Sequence, residues 1–215
     1  TTISRITGGY SGAREELVGK YMADVCDRAG AATGIHVQGN TGLVVRYSKI
    51  CDVTEGRYCQ VPSGSAGVVG IEAGGGTVPV LDRLISDAAA KTGTYGVRTS
   101  RTAGTCLERI TITSLSQTGS GYVVGIASEG DAVVKVANNV LDALYATTNS
   151  GTARGIIVSS AGDVTITGNV VRDLRSGWGE IVGIGASSVD VLDIDANPVA
   201  NLQGAYYSTH SMHEA

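Results

Sequence analysis

The sequence predicts an all-β chain wound into a right-handed, single-stranded parallel β-helix, a solenoid of about seven rungs. Two patterns and the composition predict it. A nine-residue pattern occurs at Val136–Leu144, Ile166–Leu174 and Ile194–Leu202, with copies 30 and 28 residues apart. Each copy opens on an aliphatic residue, carries Asn at +3 (Asn139, Asn169, Asn197), a second aliphatic at +5 and Leu at +8. A fixed period of this size marks a stacked repeat. Each copy is also preceded by Gly and a branched apolar residue, at Gly125-Ile126, Gly155-Ile156 and Gly183-Ile184, and the Gly always lies 19 residues before the closing Leu. Composition agrees. Gly is abundant at 31 residues, Pro is scarce at three, Phe is absent and charged residues make up 17%. Such a chain suits short strands joined by tight turns.

Read from the N-terminus, Thr1–Ile6 is strand-like. Gly9 to Val25 and Gly34 to Ile50 are each 16 residues apart and end in the matching triplets Val25-Cys26-Asp27 and Ile50-Cys51-Asp52, which reads as two shorter rungs. Ser11–Val25 also fits a helix, with Leu17, Tyr21 and Val25 four apart and Ser11 as its cap. That segment is therefore either a rung or a capping helix. Gly67–Ile71 leads to Leu81–Leu84, and Val80–Lys91 again fits either a strand or a helix. From Gly96 the pattern is regular: Leu107–Leu115 keeps every aliphatic position, with Ile110 where the Asn belongs. The whole chain, 1–215, reads as one domain, with regular rungs over 96–204, less regular ones over 9–95 and a polar tail over 205–215.

Within a rung, Val134 and Val136, Val164 and Ile166, and Leu192 and Ile194 alternate with Lys135, Thr165 and Asp193. Alternation marks a strand with one buried face. Such short strands need partners, which successive rungs supply in parallel. The handedness rule for parallel connections makes the coil right-handed. Asn139, Asn169 and Asn197 then stack at a turn, where an amide bonds the turn's backbone and the next amide along the axis.

These Asn-centred segments resemble the repeats of right-handed parallel β-helix proteins of the pectin-lyase-like superfamily, which includes pectate lyases, polygalacturonases, phage tailspikes and many surface proteins. The resemblance covers about residues 96–204 most clearly. It implies a fold. It leaves activity open, because one fold hosts many functions. The polygalacturonase motifs Asn-Thr-Asp, Gly-His-Gly and Arg-Ile-Lys are absent from the sequence.

Stacking turns the repeat into columns. Asp142 and Arg172 become neighbours two places before the closing Leu. One place before it the column reads Arg83, Ser114, Ala143, Asp173 and Asn201. One place after it, Tyr145, Arg175 and Gln203 form an outward row suited to sugar, since an aromatic ring stacks on a sugar's apolar face. Trp178, in the variable corner, is a further sugar-stacking candidate. Asp193 and Asp195 lie on the outward side of one strand, placed to bind a cation such as calcium or to act as an acid/base pair. No other cofactor is expected, because Gly74-Gly75-Gly76 lacks the Lys-Ser/Thr of a phosphate loop. His210 and His213 sit in the polar tail, where a frayed end is expected.

Four cysteines, Cys26, Cys51, Cys59 and Cys106, match no zinc or redox spacing. Cys26 and Cys51 share a repeat position, so stacking would put them within disulfide reach at the ~4.8 Å strand spacing. A Cys51–Cys59 bridge is the competing arrangement. Either bridge implies an oxidising, extracellular or cell- or virion-surface setting; cysteines that serve only as small buried residues imply none.

The net charge of -4 without a Lys/Arg cluster argues against nucleic acid. No apolar run is long enough to span a membrane. Thr1 in place of Met, and no hydrophobic leader, suggest a mature, trimmed or partial chain. A strand-like start and no evident capping helix after Leu202 point to self-association through the coil ends. The leading expectation is a structural surface module that assembles end to end or contacts polysaccharide. The alternative is a polysaccharide lyase, hydrolase or tailspike depolymerase of the same fold.

Overall fold

A computed structural model describes residues 2–7, 32–38, 45–46, 49–54, 67–90, 92–148, 151–204 and 209–214. The chain is all-β there. Strand β1 (Thr2–Thr7) precedes an interrupted coil of β2 (Ala32–Gln38), β3 (Val45–Arg46) and β4 (Lys49–Thr54). The next coils are β5 (Val68–Gly74), β6 (Thr77–Ser86) and β7 (Ala89–Ala90), then β8 (Gly93–Ser100) and β9 (Gly104–Gln117). They continue with β10 (Tyr122–Glu129), β11 (Val133–Ala137) and β12 (Val140–Ala146), then β13 (Thr152–Thr167) and β14 (Val170–Ser176). The last are β15 (Ile181–Asp195) and β16 (Val199–Gly204), followed by β17 (Thr209–Glu214).

Every described strand pairing is parallel, between one coil and the next. This is a parallel β-solenoid of about five turns, the run from β5 to β16, with partial coils at both ends. The expectation of about seven rungs counts the incomplete coils as whole ones. Each turn has three faces. The first stacks β2, β5, β8, β10, the start of β13, the start of β15 and β17. The second stacks β3, β6, the start of β9, β11 and the later halves of β13 and β15. The third stacks β1, β4, the end of β6 with β7, the end of β9, β12, β14 and β16.

The expected alternation holds. Val134, Val136, Val164 and Ile166 point into the core, and Leu115, Leu144 and Leu174 are fully buried. Each such side chain contributes about 1.5–3 kcal/mol through burial. The Gly that precedes each repeat sits where two faces nearly touch. A Cβ on Gly96 would lie 2.6 Å from the Gly125 carbonyl oxygen and 2.8 Å from Ile112 Cδ1. Close approach therefore requires glycine there.

The bends recur in register as residues with left-handed backbone. One column is Arg101, Gly130, Ser160 and Ser188; a second is Asp82, Arg109, Asn138, Gly168 and Ala196; a third is Asp87, Ser114, Ala143, Asp173 and Asn201. The second column immediately precedes the ladder of asparagines.

That ladder forms as expected. Asn139 Nδ2 donates to Asn169 Oδ1 at 2.9 Å and to the Leu107 carbonyl at 2.9 Å. Asn169 Nδ2 donates to Asn197 Oδ1 at 2.9 Å and to the Val136 carbonyl at 2.9 Å. Backbone N–H groups of Asn139 and Asn169 donate to the same side-chain oxygens. The Ile110 N–H donates to Asn139 Oδ1 at 2.8 Å, so the apolar coil joins the ladder through its backbone.

Several expectations change. Within Val80–Lys91, Val80–Ser86 and Ala89–Ala90 are strand, not helix: β6 pairs with β9 from Thr77 to Ser86, and β7 pairs with the end of β9. The segment's near-helical apolar spacing arises because the chain turns through left-handed residues at Asp82 and Asp87. The Gly34–Ile50 coil is not shortened. Ile50 pairs with Ile85, which pairs with Ile112, so it occupies the second aliphatic place and not the closing one. Arg83 pairs with Ile110 and therefore belongs to the asparagine column; Asp87 is the residue in line with Ser114 and Ala143. Part of the tail expected to fray, Thr209–Glu214, pairs with β15. Cys51 is flanked in the ladder by Ser4 and Ser86. Cys26, Cys59 and the rung-or-helix segment at 11–25 lie outside the described residues.

Candidate functional site

The first face carries the richest outward chemistry. Counting from the stacked glycines of the coil, one place before them the outward column reads Val69, Tyr95, Val124, Arg154 and Val182. Two places after them it reads His36, Glu72, Arg98, Ala127, Ile157 and Gly185. Each side chain is therefore fixed by the same strand ladder that forms the core.

Tyr95 and Tyr122 meet edge to face, with ring centroids 5.2 Å apart. The Arg98 guanidinium lies over the Tyr95 ring, 5.3 Å from its centroid. Burial pushes the Tyr95 hydroxyl's pKa up, its hydrogen bond with Tyr122 adds to this, and Arg98 opposes it. Tyr95 is thus held protonated through the neutral range, as a hydrogen-bond donor. Arg154 donates to Glu180 Oε2 at 3.0 Å, and His36 Nδ1 lies 3.0 Å from Glu72 Oε2. Arg98 and Arg101 make no ion pair among the described residues.

Two adjoining hollows lie here. One, of about 260 Å³, is walled by Tyr95, Tyr122, Arg98 and Arg154 over a floor of Val124, Ala127 and Ile157. The other, of about 440 Å³, is lined by Arg98, Ser100, Arg101, Glu129, Gly130 and Ser160. Behind them sits Asp131, 1% exposed. Its Oδ2 accepts from the Thr99 and Ser128 hydroxyls at 2.6 Å each and from Thr105 at 3.3 Å, and its Oδ1 accepts from the Thr102 N–H at 2.6 Å. With every contact satisfied, Asp131 ties the corner together and stiffens the wall.

None of Tyr95, Arg98, Tyr122, Arg154 or Asp131 stands out when columns are counted back from the closing Leu alone. Counted from the glycines, the same register puts Tyr95 and Arg154 in one outward column, but Tyr122 aligns with Gly93 and Thr152, so the repeat alone does not bring the set together.

The residues singled out from sequence are placed as follows. Tyr145, Arg175 and Gln203 do form a row on the third face, above Ser116. Arg175 lies over the Tyr145 ring, 5.2 Å from its centroid. Trp178 is 48% exposed, in the corner that follows β14. Asp142 and Arg172 pair at 3.0 Å. Asp193 and Asp195 are both exposed on the second face, beside Thr165 and Thr167. No group of three or more His, Cys, Asp or Glu side chains suited to a metal occurs among the described residues. Cys51 is buried, and Cys106 is a half-buried thiol whose pKa burial raises, against the opposing effect of Lys135. Among the described residues no helix is long and apolar enough to cross a membrane.

No family model matches the chain, and no curated protein matches it. Among solved structures, the A-module of mannuronan C-5 epimerase AlgE6 from Azotobacter vinelandii is similar at a TM-score of 0.15 and 11% identity, over 87% of this chain and 78% of that one. At that level the similarity carries no argument about this chain's activity.

Proposed function

We propose that the protein is a non-catalytic, extracellular or surface β-solenoid module that holds a polysaccharide strand against its first face. The observation that carries this reading is the hollow in which Arg98 rests on Tyr95 beside Tyr122, above an apolar floor. An apolar floor and aromatic wall suit the apolar face of a sugar ring. Guanidinium, hydroxyl and carboxylate groups at the rim suit its hydroxyls. Membership of the pectin-lyase-like superfamily belongs to the same proposal and rests on the Asn-centred repeat.

Binding is favoured over cleavage for a chemical reason. A hydrolase needs two carboxylates set across the bond. The hollows have Glu129 as their one carboxylate-bearing wall residue. A base for proton abstraction needs a lowered pKa, whereas that of Tyr95 is raised. Association of subunits through the coil ends is part of this proposal, because β16 and β17 are paired on one side only among the described residues.

Affinity electrophoresis against polygalacturonate, heparin, xylan and dextran tests the reading. At least one polymer is expected to retard the protein, and Tyr95→Leu or Tyr122→Leu to relieve the retardation. Retardation by none of them removes the polysaccharide reading. Release of reducing or unsaturated sugar ends would replace it with the depolymerase alternative.

A further inference from the structure

Arg98 is not the only guanidinium mounted on a tyrosine. Arg175 lies over Tyr145 at 5.2 Å, nearly the 5.3 Å of Arg98 over Tyr95. The two couples share a second property. Arg109, Arg154 and Arg172 each pair with a carboxylate, whereas Arg98 and Arg175 pair with none among the described residues. A guanidinium held over a tyrosine ring and paired with no carboxylate keeps N–H groups for a ligand.

The couples stand on different faces. Tyr95 and Arg98 belong to β8 in the first column of strands; Tyr145 and Arg175 belong to β12 and β14 in the third. Between the two faces runs the corner that bears Trp178, exposed at 48%. The second couple continues along the axis as Ser116, Tyr145, Arg175 and Gln203. Successive coils thus offer a hydroxyl, a phenol, a guanidinium and an amide at the ~4.8 Å strand spacing, comparable with the length of one sugar unit. The first couple has a hollow beside it, and the second lies in a row along the axis.

We infer that the protein has two separate saccharide-binding faces and cross-links polysaccharide strands. This rests on the polysaccharide reading above and goes beyond it. A stiff chain lying along one face leaves the other open, so one molecule engages two strands. The hollowed face, which buries more of its ligand, is the tighter of the two. Linking strands by bivalent contact turns weak single-site binding into lasting association through effective concentration.

The test uses the full chain with polygalacturonate, heparin, xylan and dextran, each as polymer and as hexamer-sized fragments. Calorimetric titration with fragments of a binding glycan is expected to give two sites per chain. Arg98→Gln should weaken the first site about tenfold and spare the second; Arg175→Gln should do the reverse. Mixed with polymer, the wild type should produce turbidity. Each single variant should lose it while still being retarded in affinity electrophoresis, and unchanged melting temperatures would confirm that both variants fold. One site per chain, or turbidity that survives both substitutions, overturns the inference and leaves the polysaccharide reading standing. Binding to none of the four glycans removes both.

Discussion

Asn169 is the residue on which the ladder turns. Its side chain makes four hydrogen bonds: it accepts from the Asn139 N–H and Nδ2, and donates to the Val136 carbonyl and Asn197 Oδ1. It is fully buried. Asn169→Ala strands a buried N–H of the coil below, so a loss of about 2–4 kcal/mol is expected, read as a lower urea midpoint. Asn197, half-buried at the ladder's edge, should cost less when cut to alanine. Arg83 is the opposite case. It occupies the asparagine column, is 3% exposed, and leaves Nε and Nη1 without a partner. Burial lowers its pKa to about 10, with Asp82 working the other way. The next residue in its column, Ile110, is fully buried and apolar. Arg83→Leu should therefore stabilise the protein by about 1–4 kcal/mol, read as a higher urea midpoint. The sign of its pH dependence is fixed. The folded pKa lies below the unfolded one, so the penalty of the charged form is complete below about pH 10. The gap between variant and wild type should then narrow as pH rises towards the ordinary arginine range.

The strands and bends divide the labour of the coil. Strands supply burial; bends supply a left-handed residue at a fixed place. Ala143 adopts φ 57° and Gly168 φ 65°. A left-handed backbone strains alanine by about 1–2 kcal/mol and glycine hardly at all. Ala143→Gly is accordingly expected to raise the melting temperature by a few degrees. Gly168→Ala should lower it, since its Cβ would also lie 2.7 Å from Asn138 Oδ1. Both shifts are measurable by circular dichroism. At this scale the sequence was readable wherever its period was clean. The regular coils, the buried alternation and the asparagine stack follow from aliphatic and amide spacing. Near Val80 the same reasoning was undecided, because a left-handed bend at Asp82 shifts the inward residues out of strict alternation and imitates a helix. Ile50 is ambiguous in sequence for a related reason: a 16-residue interval fits either the second aliphatic or the end of a shortened rung, and only hydrogen-bond register decides. Tyr95 and Arg98 were in the sequence too, but outward residues carry no periodic signal of their own. Their neighbours across the ladder, Val124 and Ala127, are of unlike chemistry. Asp131 was invisible, since the four groups that satisfy it come from Thr99, Thr102, Thr105 and Ser128 and meet only when two coils stack.

For the whole molecule, stability is a sum over neighbouring coils, each contacting chiefly the next. Edges therefore matter more than in a globular domain. In the last described coil Leu192, Ile194, Val199 and Leu202 pack on the core but remain partly buried. If subunits add to such edges, the mass measured by light scattering should rise with concentration. A lysine in place of Ile194 should return the protein to a single size. A constant mass over a hundredfold dilution from high concentration would exclude end-to-end assembly.

The corner between the closing leucine and the next glycine has a consequence for how the surface can change. Strands end at Gln117, Ala146 and Ser176, and the next ones begin at Tyr122, Thr152 and Ile181. The corner's length is decoupled from the pairing of every strand, and lengthening a surface loop adds little closure entropy. A peptide spliced in beside Trp178 would stand between the two tyrosine-backed faces without shifting either of them by a residue. The coil is in that sense a ruler with one blank margin, on which new recognition can be written while the graduations stay put.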